Sequence, residues 1–141
     1  MEVTDRKKLV VGESASLVKV VDGTAIDLFA EATGDRNSIH LEEAAARAAG
    51  FEGRIAHGMY SASLVSQVLG MQLPGPGTIY LGQQIRFGVP VRMGDTLEVT
   101  VEVKSIRPDK PIVTLETRCR NQKDEDVLTG EAVVKVARDR C

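Results

Sequence analysis

The sequence predicts an α+β fold in which an antiparallel β-sheet wraps around one central helix. Three observations predict it. In the C-terminal half, Leu97, Val99, Val101 and Val103 alternate strictly with Thr96, Glu98, Thr100, Glu102 and Lys104. A period of two with one apolar side is the signature of strands in a sheet with one wet face. From Ile55 to Ile85 there is not one Asp, Glu, Lys or Arg. A helix inside that stretch has no charged face to turn to water, so it is expected to be surrounded. Gly94-Asp95, Pro108-Asp109-Lys110 and Lys123-Asp124-Glu125 are short turn sequences, which join strands antiparallel.

The elements follow in order. Ser14 to Val21 is a β-branched run that reads as a strand. Thr24 is placed to cap a helix, with Asp27 three residues on. Ile26, Phe29, Ala30 and Thr33 recur at helical spacing, and Gly34 is a natural stop. A second short helix, Leu41 to Ala49, is rich in alanine and ends at Gly50. The uncharged helix runs from Met59 to Leu69 and is closed by Gly70, with Leu64, Val65, Val68 and Leu69 apolar. Pro74-Gly-Pro-Gly77 turns the chain, and lacks the Lys and Ser/Thr of a phosphate loop. Ile79, Leu81, Ile85, Phe87 and Val89 form one row of a strand, with Gln83 its single polar entry. Val113, Leu115, Thr117 and Cys119 form a third strand, and Ala132, Val134 and Val136 close the set.

Length and composition set bounds on function. The chain has 141 residues, enough for one domain with a real core, so residues 1–141 are read as a single unit. A net charge of −2 and the lack of any Lys/Arg stripe argue against nucleic-acid binding. No run reaches the ~18 uninterrupted apolar residues of a membrane span, and the first residues lack a signal-peptide core. Cys119 and Cys141 match no metal or redox spacing, so reduced thiols and a cytoplasmic location are expected.

The chemistry is concentrated in Phe29-Ala-Glu-Ala-Thr-Gly-Asp-Arg-Asn-Ser-Ile-His40. A carboxylate (Asp35), an amide (Asn37) and an imidazole (His40) follow the glycine that ends a helix. Acid/base work on one substrate needs two proton carriers held a few ångströms apart, and a tight turn supplies that. Asp35 and Asn37 are also ordinary turn formers. In Arg54-Ile-Ala-His-Gly-Met59, Gly58 opens the uncharged helix, where its N–H points out of the positive end of the dipole. Such an N–H can polarise a carbonyl oxygen, or can simply be a helix start. His57 is read as a histidine that serves a backbone carbonyl rather than as a second base. Ser63 and Ser66 lie on the same helix, where a hydroxyl must find a partner.

These motifs, with Phe51, Leu69-Gly70, Leu73-Pro-Gly-Pro-Gly77, Ile79-Tyr-Leu81 and Pro90-Val-Arg-Met-Gly-Asp95, resemble the MaoC-type dehydratase family, and within it the (R)-specific enoyl-CoA hydratases. The resemblance covers nearly the whole chain. It implies the hot-dog fold and a homodimer. It also implies that Asp35 and His40 form a catalytic dyad, that Asn37 helps hold the reacting water, that the Gly58 N–H binds the thioester oxygen, and that Ser66 supports Asp35. One departure is Ser38, where the family has proline; losing that ring loosens the turn.

The implied reaction is reversible syn addition of water to a trans-2-enoyl-CoA, giving a (3R)-3-hydroxyacyl-CoA, in fatty-acid or polyhydroxyalkanoate metabolism. No metal and no cofactor are expected. Alternatives are a hot-dog acyl-CoA thioesterase, a 3-hydroxyacyl dehydratase acting on an acyl-carrier-protein thioester, and a non-catalytic acyl-thioester binding subunit. Tyr60, Met71 and Leu73 are candidates for the acyl tunnel, and Arg36, Arg54, Arg86 and Arg107 for contacts to the CoA phosphates.

Overall fold

The computed structural model describes residues 7–141. The first strand, β1 (Ser14–Val20), leads into helix α1 (Gly23–Thr33). The cap of α1 is Asp22 rather than Thr24: its carboxylate accepts the Ala25 N–H at 2.8 Å, and the helix starts two residues earlier than expected. Gly34 ends α1 as expected, with φ 79° and its N–H on the Ala30 carbonyl at 2.9 Å. The alanine-rich helix expected over Leu41 to Ala49 is the shorter α3 (Glu43–Ala48), and a separate short helix, α2 (Ser38–Leu41), precedes it where a turn was expected. Glu42 between them is extended, with φ −125° and ψ 122°. That break lets α3 bury Ala46 while α2 turns His40 inward.

Helix α4 (Gly58–Met71) is the uncharged helix, and it passes through Gly70 instead of stopping there. An isolated helical glycine costs only ~1 kcal/mol, so it does not end a helix by itself. The chain leaves α4 at Gln72, ahead of Pro74, which has no N–H to continue the ladder. Four strands follow: β2 (Ile79–Phe87), β3 (Thr96–Ile106), β4 (Ile112–Arg120) and β5 (Asp126–Lys135). All pairings are antiparallel, in the order β1-β3-β4-β5-β2. A 3₁₀ turn, Arg138–Arg140, closes the described chain, and the buried Arg140 donates to the carbonyls of Lys7 and Pro74.

Leu97, Val99, Val101, Val103, Val113, Leu115, Cys119, Ala132 and Val134 form the inner face of the sheet, each almost fully buried. Helix α4 packs across it, touching all five strands, and buries Leu64, Val65, Val68 and Leu69. This is the hot-dog arrangement. The enclosure is one-sided, however. Met59, Ser63, Ser66, Gln67 and Met71 of α4 remain exposed within the single chain. The expectation that the uncharged helix is surrounded therefore holds for one face only.

Two strands depart from the simple alternation. In β2 the register slips between Tyr80 and Gly82, leaving Leu81 unpaired. Tyr80 lies opposite Val134 and Gln83 opposite Ala132, so Tyr80, not Ile79 or Leu81, shares the inner face with Gln83 and Ile85. Strand β5 begins at Asp126, well before the alternating Ala132-to-Val136 row. Val127 and Leu128 are both buried beside a register shift, and Gly130 is required because a Cβ there would sit 1.8 Å from the Gln84 carbonyl oxygen. Among the described residues no helix is long and apolar enough to cross a membrane.

Candidate active site

The turn between α1 and α2 is built by short polar side chains. Thr33 donates its hydroxyl to the Phe29 carbonyl at 2.8 Å and accepts the Asp35 N–H at 3.2 Å. Asp35 Oδ1 accepts the Asn37 N–H at 3.2 Å, and Asn37 Oδ1 caps α2 through the Ile39 N–H at 3.4 Å. Asn37 thus acts as the turn former that its residue type allows. Its side-chain NH₂ has no partner among the described residues.

His40 is buried on α2, and its Nδ1 lies 2.8 Å from the Ile55 carbonyl oxygen. A carbonyl can only accept, so Nδ1 carries the proton and Nε2 of the neutral ring is left with its lone pair. His57 is buried too. Its Nε2 bonds the Asp35 carbonyl at 2.9 Å, so the ring serves a backbone group as the sequence suggested. The two imidazoles stack with centroids 3.9 Å apart and planes inclined by 27°. Phe29 flanks His57 at 4.9 Å and meets Tyr60 edge-on at 5.9 Å. A carboxylate oxygen of Asp35 and a ring nitrogen each of His40 and His57 all fall within 4.8 Å of one another.

Gly58 follows His57 directly as the first residue of α4, where an N–H has no carbonyl of its own helix to bond. The Phe87 ring from β2 lies over it: a Cβ at Gly58 would come within 3.2 Å of two ring carbons. The absence of a side chain keeps that N–H approachable. Burial, and then the negative charge of Asp22, raise the Tyr60 phenol above its ordinary pKa, so it stays protonated beside this cluster.

The structure brings Asp35, Asn37, His40 and Gly58 to one end of α4. It does not bring Ser66 there. That residue sits two turns along α4 in an apolar groove of about 330 Å³, with Met59, Ala62, Tyr80, Leu81 and Ile85. Among the described residues no hydrogen bond joins Ser66 to Asp35. Ser63 bonds back to the Met59 carbonyl at 2.8 Å.

Of the tunnel candidates, Tyr60 and Leu73 are buried and Met71 is 69% exposed. Of the cation candidates, Arg36 pairs with Glu31 at 2.6 Å and Arg107 with Asp109 at 2.8 Å. Arg54 is spent on the His40 carbonyl and Asp27. Of the four, only Arg86, exposed on β2, has no partner among the described residues. Sequence reasoning missed the roles of Thr33 and Ile55: a threonine ahead of Gly-Asp hints at the first, but a backbone acceptor leaves no trace in side-chain identity.

A family model described as "MaoC like domain" matches residues 11–124. The chain is 48% identical over 128 residues to a 3-hydroxybutyryl-CoA dehydratase of Methylorubrum extorquens, covering 91% of this chain and 81% of that protein. It is 47% identical over 130 residues to an (R)-specific enoyl-CoA hydratase of Aeromonas caviae, covering 92% and 97%. The solved structure of an (R)-hydratase from A. caviae involved in PHA biosynthesis superposes with a TM-score of 0.89, at 47% identity, over 92% of this chain and 98% of that one.

Proposed function

Because the chain belongs to the MaoC-like domain family, we propose that it is an (R)-specific enoyl-CoA hydratase, adding water reversibly to a trans-2-enoyl-CoA to give the (3R)-3-hydroxyacyl-CoA. The observation that carries this reading is the clustering of the Asp35 carboxylate and a His40 ring nitrogen within 4.8 Å, immediately beside the open N–H end of α4.

In the mechanism, one water lies between Asp35 and the His40 Nε2, and the Asn37 amide helps to hold it. Water is a poor nucleophile and the β-carbon a weak electrophile. The dyad removes one proton from water as its oxygen bonds the β-carbon, and returns one proton to the α-carbon, so the pair ends with its protons unchanged. The Gly58 N–H takes the negative charge that builds on the thioester oxygen in between. Acid/base assistance of this kind gives ~10²–10⁴-fold and one oxyanion donor a further ~10²–10³-fold. Both groups arise from one short loop, so both act on the same face of the alkene and the addition is syn.

We place the site in a single domain spanning residues 1–141 that works as a homodimer in the cytoplasm. The dimer is supported by the exposed, uncharged face of α4 beside the edge strand β2, where Ile79, Leu81 and Phe87 are about half exposed. Ser66 opens onto that same face, so its expected support of Asp35 requires the Asp35 loop of a second copy.

The test is the ultraviolet enoyl band of crotonyl-CoA, followed with and without a thiol reagent, with chiral analysis of the product. Loss of the band without release of free thiol, yielding the (3R) alcohol, supports hydration. Release of thiol with the alkene intact would make the protein a thioesterase.

A further inference from the structure

We infer that Arg54 is a positioning residue for the dyad, fixing His40 relative to Asp35 by clamping the two helices that flank their loop. The inference rests on the hydratase reading above. Helix α2 is only four residues long, too short to hold itself. The His40 carbonyl belongs to its last turn and has no intrahelical acceptor role to fill. Arg54 Nε donates to that carbonyl at 2.7 Å, while Nη2 of the same guanidinium pairs with Asp27 on α1. Nη1 lies against Gly23 at the start of α1, 3.4 Å from where a Cβ would sit. One planar group thus ties the helix that runs into Asp35 to the helix that carries His40.

The next residue completes the hold. The Ile55 N–H bonds the Ile39 carbonyl at 3.2 Å, and the Ile55 carbonyl takes the His40 ring. Residues 54 and 55 therefore grip α2 at three points: the Ile39 carbonyl, the His40 carbonyl and the His40 imidazole. The Arg54 side chain is only 13% exposed, against 61% for Asp27, and its donors face protein acceptors. That disposition fits a bracket and not a free cation waiting for a phosphate. Lysine could satisfy one of the two acceptors, but only the guanidinium fork satisfies both from one plane. A misplacement of about 1 Å at a reacting group can cost ~10²-fold in rate.

The experiment compares Arg54→Met and Arg54→Lys with the native protein on two substrates: crotonyl-CoA and the crotonyl thioester of N-acetylcysteamine, which has no phosphates. The expected result is a kcat lower by about 10–100-fold for Arg54→Met on both substrates alike. KM should change less than about twofold, and Arg54→Lys should recover part of the loss. Melting curves accompany the kinetics; should Arg54→Met fail to fold, the Lys variant, which keeps length and charge, carries the same comparison. A rise in KM for crotonyl-CoA with turnover of the phosphate-free thioester untouched would overturn the inference and make Arg54 a phosphate contact. So would a kcat within about twofold of native in both variants. A native protein inactive on both thioesters sinks the hydratase reading itself; an active native protein indifferent to both substitutions sinks only this inference.

Discussion

At the scale of single residues, two stacked imidazoles divide the labour. His40 has its Nδ1 committed to Ile55 and Nε2 open, whereas His57 has Nε2 committed to the backbone of Asp35. Asp35→Asn and His40→Gln should each lower kcat by about 10²–10⁴-fold with little change in KM. The double variant should be scarcely worse than the poorer single one, because groups acting as a unit are not additive. His57→Gln should lose less activity and more stability, about 1–3 kcal/mol for a disturbed buried hydrogen bond. Steady-state kinetics beside thermal melts would show whether that ranking holds. The thiols give an independent check on packing. Burial pushes Cys119 from an ordinary 9.0 up to about 12, so its thiol stays protonated and inert in the folded state. An aromatic disulfide reagent at pH 8 should titrate Cys141 quickly and Cys119 only on unfolding. Between pH 9 and 12 the unfolded chain ionises this thiol and the folded one does not. The stability it contributes is thus complete below pH 9 and is lost as pH rises towards 12.

At the scale of elements, α4 decides the architecture. Val65 is 1% exposed against the sheet, so Val65→Asp would bury a carboxylate without a partner, at a cost of several kcal/mol or more. Circular dichroism and solubility should show failure to fold; a soluble variant with a cooperative melt would mean that the helix is not packed on the sheet. What the sequence made legible follows from periodicity. Strict alternation located β3 and β4 within a residue or two, and the missing charges located α4. What it hid has physical causes. Leu81 is apolar and in phase with Ile79, but the bulge that excludes it from pairing turns the start of β2 over. The first half of β5 was invisible because Gly130 is dictated by the Gln84 carbonyl and not by an inward or outward face. Asp22 displaced Thr24 as the cap because both types cap well and an offset of two residues is not encoded in type alone. At the site, Asp35 and His40 were readable because they are neighbours in sequence. The Arg54 bridge was hidden because its partners, Asp27 and the His40 carbonyl, lie far from it along the chain.

At the scale of the whole molecule, the open face formed by α4 and β2 is where a second copy is expected. Dilution should reduce activity in step with dimer content measured by light scattering, and a fully active monomer would reject the assembly. Mixing refolded Asp35→Asn and Ser66→Ala chains tests how the copies share the site. If Ser66 supports the partner's Asp35, half of the dimers are mixed and each has one intact site of two, so about a quarter of native activity should return. If both residues act within one chain, nothing returns. The strand order also bears on how the chain reaches this state at all. Strands β3, β4 and β5 are neighbours in sequence and in space, so their pairing closes short loops and can form early. By contrast, β1 must wait for β3 across everything between Val20 and Thr96, and β2 must reach β5 past two intervening strands. Until those two rims arrive, the central meander stands with its valine rows uncovered and both flanks unpaired. A nascent chain therefore passes its most vulnerable moments after its core strands have formed, and the proposed dimer would guard the very rim that is among the last to close.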